Sequence, residues 1–142
     1  MSDFLKNEVK FVPLSSRANG QIFDLTEEVR TFLAEIGVEK GLVTVSGVGS
    51  TLGITTMEYE PGLVQDIPEL MQKLIPEGSY HHDMTWHDGN GHSHLRSALL
   101  GTSQTFPVVE GEVILGTWQQ IVLIDFDNKP RKRQVVLHYL GE

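Results

Sequence analysis

The 142-residue chain carries 11 basic and 19 acidic side chains, a formal net charge of −8, and is 39% hydrophobic. That balance argues against non-specific grip on nucleic acid or an anionic membrane, while a local site for a small anion stays open. With no cysteine, disulfides, thiolate chemistry and cysteine-held metals are excluded.

No run reaches the roughly 18 apolar residues of a membrane helix. Met1 to Lys6 lacks the apolar core of a signal peptide. The expectation is a soluble cytoplasmic protein folded as a single domain over residues 1–142.

Residues Glu8 to Leu14 read as a first strand, with Pro13 favouring a sheet edge. Asn19-Gly20 is a turn, and Gln21 to Phe23 a short second strand. Asp24 to Glu27 has the form of a capping box, followed by apolar Leu25, Val29, Phe32, Leu33 and Ile36 at helical spacing and a terminating Gly37. Gly41 to Val48 and Leu52 to Tyr59 read as strands. Between them, glycines surround Ser50-Thr51, which reads as a bulged turn or as an anion nest offering the Thr51 hydroxyl. Glu60 to Gly62 breaks the pattern, and Asp66 to Glu69 forms a second capping box ahead of Leu70, Met71 and Leu74. Leu95, Ala98 and Leu99 fit a short helix closed by Gly101. Gln104 to Val109, the run from Glu112 to Phe126 and the stretch from Gln134 to Leu140 complete an antiparallel meander. Both sides of the last strand are apolar, which predicts burial by the core on one side and by another subunit on the other. The element order predicts an α+β fold: a curled antiparallel β-sheet, barrel- or sandwich-like, with two main helices packed against it.

Five of the six histidines fall between Tyr80 and His94, interleaved with Asp83, Asp88 and Asn90. Imidazole is the commonest protein metal ligand and titrates near neutral pH. If His92 and His94 are extended, both face one ion; if they start a helix, about 200° separates them and only one does. His82 is the third candidate ligand, and three nitrogens with an open position would be a catalytic pattern. Asp83 or Asp88 could ligate, orient an imidazole or act as a base. Glu58 is a strand-borne carboxylate suited to the same proton work, or a residue facing water. Trp86 and Trp118 could stack a planar substrate, although core packing is the ordinary role for Trp118. Arg96, Arg131 and Arg133 are possible phosphate ligands. His138, alone in an apolar strand, reads as a packed core or interface histidine.

The stretches Asp66 to Leu70, His82 to Leu95 with its Gly-Asn-Gly-His-Ser-His-Leu form, Leu99 to Ser103, Pro107-Val108, Gly111 to Gln119, Asp125 to Asp127 and Pro130 to Arg133 resemble the YjbQ-like family. That family is also labelled secondary thiamine-phosphate synthase. The resemblance implies a homotrimer with a pocket containing His82, His92 and His94, where a divalent metal such as zinc or magnesium, or an anion, binds. It also places Glu58 on the family's glutamate. The implied activity is a weak thiamine-phosphate synthase-like reaction on small phosphorylated substrates, with Glu58 and Asp83 as catalytic candidates and Thr51, Trp118 and Arg133 on the substrate. Gly49 stands where the family pattern has a histidine, and Met57 where it has an asparagine. That departure favours the alternative of a non-catalytic metabolite- or metal-binding homotrimer.

Overall fold

The computed structural model describes residues 5–142. Residues 1–4, and with them most of the terminus read for a leader, lie outside the described part. In chain order the elements are β1 (Lys6–Ser16), β2 (Gln21–Asp24), α1 (Thr26–Ile36), β3 (Gly41–Gly47), β4 (Leu52–Met57), α2 (Pro61–Leu74), α3 (His81–Trp86), α4 (Gly91–Leu100), β5 (Ser103–Val109), β6 (Glu112–Val113), β7 (Gln120–Asp125) and β8 (Arg131–Gly141). The strands form two antiparallel sheets, ordered β1-β8-β3-β5-β6 and β2-β7-β4. The architecture is α+β with a curled antiparallel sheet; the two main helices and the short one closed by Gly101 are as expected, and one further short helix, α3, joins them.

Alternation decides what each sheet covers. Val135, Leu137 and Tyr139 of β8 point inward with Val43 and Val45 of β3 into a core shared with α1. The strand β7 is buried on both faces: Ile121 and Leu123 join that core, while Val122 and Ile124 pack with Met71 of α2. Double burial is why its apolar run is continuous rather than alternating. The edge position expected for Pro13 is observed, since β1 closes one side of the five-stranded sheet.

Helix α1 buries Val29, Phe32 and Leu33, each stabilising by about 1.5–3 kcal/mol. It ends at Gly37, whose φ of 63° and N–H bond to the Leu33 carbonyl (3.1 Å) make a left-handed cap. Its start differs from the expected box. Asp24 accepts from the Thr26 amide (3.0 Å), and the Thr26 hydroxyl accepts from the Ile121 amide (2.9 Å), tying the helix to β7. Helix α2 also starts earlier than expected. Glu60 accepts from the amides of Gly62 (2.7 Å) and Leu63 (2.9 Å), and Pro61 occupies the first helical position, so the Asp66 to Glu69 box lies mid-helix. Pro68 is therefore internal to α2, against Gly20, where an added Cβ would meet its ring at 3.1 Å.

The outer face of the five-stranded sheet is apolar and open. Val9, Phe11, Leu42 and Leu140 are exposed there, Phe11 by 59%. Within the chain, the last strand is thus buried on one side only. His138 lies on this open face, its Nε2 2.6 Å from the Asn7 side-chain oxygen, rather than in the core.

Candidate functional site

The site rests on a buried charge network at one end of the three-stranded sheet. Asp125 ends β7, Asp127 follows it, and both are fully buried. Arg133 of β8 grips Asp125 as a fork, Nε to Oδ2 at 2.7 Å and Nη2 to Oδ1 at 2.9 Å. Its Nη2 also donates to the Thr51 hydroxyl (2.6 Å), which donates to Asp127 (3.0 Å). Arg131 and the Asn90 amide (3.3 Å) complete the Asp127 shell. Burial alone would raise the Asp127 pKa, but Arg131, the Asn128 amide, Asn90 and Thr51 hold it below the usual carboxylate value. Thr51 and Arg133, expected on a substrate phosphate, thus direct these donors into the scaffold. Arg133 Nη1 makes no hydrogen bond among the described residues and sits beside Gly49, where an added Cβ would lie 2.9 Å from it.

Asn90, held by Asp127, is the residue from which α4 starts. The histidine stretch is consequently two helices and not one loop. Asp83 of α3 accepts from the amides of Tyr80 (3.2 Å) and Gly91 (2.9 Å), locking α3 against the start of α4. A Cβ on Gly91 would come 3.0 Å from Tyr80 Cβ and 3.1 Å from the Asp83 carboxylate, so a larger residue here requires these neighbours to give way. Burial by itself raises the Asp83 pKa, yet those two amides and His82 lower it on balance, keeping the group ionised. His82 Nδ1 lies 3.4 Å from Asp83 Oδ1 and 3.8 Å from Asp88 Oδ1. One donor atom from each of these three residues falls within 4.8 Å of the others. Asp88 Oδ1 is buried and without a hydrogen-bond partner among the described residues. The His94 ring stands beside that of His82, centroids 4.4 Å apart and tilted by 39°. His94 also lines a cavity of about 510 Å³ with Gly49, Ser50, Ser97 and Thr102.

His92 does not join them. Because α4 begins at Gly91, the two-residue step turns His92 about 200° from His94. It is 3% exposed and faces a separate cavity. The expected convergence of His82, His92 and His94 is replaced within the chain by His82, Asp83 and Asp88 with His94 adjacent. Burial, then the nearby Arg96, lower the His92 pKa against the opposing pull of Glu77, Asp83 and Asp127.

Glu58 and Trp118 meet elsewhere. They line a cavity of about 400 Å³ with Asp24, Tyr59, Glu60 and Gln120. In the register of the three-stranded sheet, Met57 pairs with Gln120, whereas Leu52 pairs with Asp125 at the histidine end. Five residue steps along the strand separate these pairs, roughly 17 Å. Glu58 is therefore not a neighbour of the histidines within one chain. Trp118 is 73% exposed, not in the core. The scaffold roles of Asp125, Asp127 and Asn90 were not legible as site features. The available signal was the pair of aspartates ending an apolar run, with arginines four and six residues beyond Asp127.

The family model for UPF0047 proteins, YjbQ-like, matches residues 10–142. A UPF0047 protein of Archaeoglobus fulgidus is 40% identical over 121 residues, covering 84% of this chain and 91% of the relative. A UPF0047 protein of Methanothermobacter thermautotrophicus is 34% identical over 140 residues, covering 98% and 96%. Among solved structures, a YbjQ-like protein of unknown function from Sulfolobus solfataricus P2 superposes with a TM-score of 0.92 at 30% identity, covering 97% of this chain and 99% of that one. A hypothetical protein from Aeropyrum pernix K1 does so at 0.88 with 35% identity, covering 95% and 99%.

Proposed function

The chain belongs to the UPF0047, YjbQ-like family, and we propose that it is a metal-dependent enzyme of small phosphorylated molecules. The observation that carries this reading is the convergence of His82, Asp83 and Asp88 within 4.8 Å, with one buried Asp88 oxygen still unpartnered. One imidazole and two carboxylates form a donor set suited to zinc or to a harder divalent ion such as magnesium. Such an ion, when bound, supplies Lewis-acid stabilisation of charge on a phosphoryl oxygen.

The chain's own groups supply the rest. Asp83, kept ionised by two backbone amides, orients His82 and can accept a proton at its carboxylate. His94 faces the adjacent cavity, whose Ser50 and Thr102 present hydroxyls to a substrate. Arg133 Nη1, beside Gly49, is placed to anchor an anion. The reaction class we assign is thiamine-phosphate synthase-like, a displacement of diphosphate joining two small phosphorylated partners. Glu58 and Trp118, at the other end of the three-stranded sheet, serve this chemistry only if a second copy brings them to the histidines. We accordingly propose a homotrimer, its contacts including the open apolar face of Val9, Phe11, Leu42 and Leu140. Among the described residues no helix is long and apolar enough to cross a membrane, and we assign the protein to the cytoplasm.

One observation favours the second reading, a binding protein without turnover: a glycine stands at position 49, where the family pattern has a histidine. Two measurements separate the readings. Titrating metal-free protein with Zn²⁺ and Mg²⁺ should give saturable binding that Asp88→Asn weakens at least tenfold. Incubating the loaded protein with hydroxymethylpyrimidine diphosphate and the thiazole phosphate should give slow product formation. Binding without product selects the binding protein, and full binding by Asp88→Asn removes the metal site from both readings.

A further inference from the structure

We propose that the cavity between α2 and α4, on the His92 side, is a binding site for a small organic anion: a carboxylate on a short apolar body. The cavity holds about 170 Å³. Its apolar lining is Pro68, Met71, Ile124 and Phe126, and its polar lining includes Gln72, Glu77, His92 and Arg96.

Arg96 is 7% exposed, so its charge is almost wholly withdrawn from water. Its guanidinium is held rigidly. Nε and Nη2 both donate to the Ile75 carbonyl, at 2.9 and 2.8 Å, and Nη2 also donates to the Gln72 side-chain oxygen at 3.0 Å. Every one of those partners is neutral. Nη1 has no hydrogen-bond partner among the described residues, and Arg96 forms no salt bridge with a carboxylate among them. A buried cation that is oriented but not neutralised is costly, and an anion arriving on its free edge removes that cost.

The chain offers one carboxylate nearby, and it is loosely placed. Glu77 follows α2, is mostly exposed, and reaches His92 Nε2 at 3.5 Å while acting on Arg96 only through space. A ligand carboxylate can therefore take Nη1 directly, with its hydrocarbon against Met71, Ile124 and Phe126. The small volume restricts that hydrocarbon to a few carbons, and inorganic phosphate would leave the apolar lining unused. None of these residues belongs to the His82–Asp83–Asp88 cluster, so the inference stands independently of the proposed metal chemistry.

Calorimetric titration of the full chain with butyrate, and separately with inorganic phosphate, tests it. Butyrate is expected to bind saturably in the millimolar range, with phosphate at least tenfold weaker. Arg96→Lys should weaken butyrate at least tenfold, since a point charge cannot keep the Ile75 carbonyl and a ligand together. Should that variant fold poorly, Glu77→Gln decides. This exposed substitution removes the competing charge and should tighten butyrate several-fold. His82→Ala should leave butyrate binding unchanged. No saturable binding by either wild type or Glu77→Gln, equal affinity in wild type and Arg96→Lys, or phosphate binding as tightly as butyrate would each overturn the assignment.

Discussion

His94 and His92 leave α4 about 200° apart, and their surroundings differ in kind. On the His94 side, the His82 ring at 4.4 Å leads to two carboxylates, half-buried and reachable from solvent. On the other, His92 is buried beside Arg96, with its Nδ1 unpartnered and its pKa lowered chiefly by burial. An open cluster of carboxylates with an imidazole can exchange a cation with water. A buried imidazole next to a guanidinium favours the neutral form, and its neighbourhood attracts an anion instead. The difference arises from one backbone decision, the start of a helix at Gly91, which gives two identical side chains opposite electrostatic settings.

The largest perturbation should remove what both sides share. Asp127→Ala strips the acceptor from Arg131, Thr51 and Asn90, and so from the start of α4. Denaturant unfolding should show a loss of about 2–6 kcal/mol, since the buried Thr51 hydroxyl and Asn90 amide each lose their acceptor, while Arg133 keeps Asp125. A loss below about 1 kcal/mol would mean that the network does not support α4.

Acid should expose the same dependence. In the folded chain the Asp127 pKa lies below its ordinary value, since its hydrogen bonds outweigh the opposing effect of burial. As pH falls the unfolded chain takes up this proton first, so the contribution is complete above the unfolded value near 4 and is lost through the folded value. Unfolding curves from about pH 6 to about pH 3 should therefore steepen in wild type relative to Asp127→Asn. Parallel curves would exclude Asp127 as the group responsible.

A smaller substitution should separate the two sides. Gly91→Ala forces a methyl against Tyr80 and the Asp83 carboxylate, an overpacking expected to cost about 1–3 kcal/mol. It should also weaken metal binding by the His82 cluster while sparing butyrate on the Arg96 side. Equal damage to both would make α4 a single rigid unit. Smallest is Ser97→Ala, which removes a hydroxyl bonded to the Leu52 carbonyl at 2.6 Å beneath the His94 cavity. A loss of about 1 kcal/mol is expected by thermal or denaturant unfolding, and no loss would show that water replaces the bond.

Much of the fold was readable because its signals are periodic. The Val29–Phe32–Leu33 stripe with Gly37 reports burial on one side, whereas the last strand is apolar on both sides and is buried within the chain only through Val135, Leu137 and Tyr139. The start of helix α2 differs from its sequence signal because Asp66 and Glu69 have capping-box spacing, while Glu60 six residues earlier makes the actual cap. The site was legible as a region and not as a geometry. Gly89-Asn90-Gly91 can open a turn or a helix, and the helical choice is accompanied by the Gly91 amide bond to Asp83 and by the Asn90 bond to Asp127, 37 residues away in sequence. That Glu58 and Trp118 lie away from the histidines within one chain was not legible, because local sequence carries no record of which end of a strand faces which helix. Trp118 looked like core because a tryptophan in a loop and one in a strand have the same composition.

The proposed metal site lies on the His94 side of α4 and not on the His92 side. Titrating the metal-free protein with Co²⁺ and following its visible absorption tests it most directly, in wild type, His82→Ala and His92→Ala. A saturable ligand-field band is expected in wild type and His92→Ala, with affinity reduced at least tenfold in His82→Ala. Loss of the band in His92→Ala with retention in His82→Ala would contradict it.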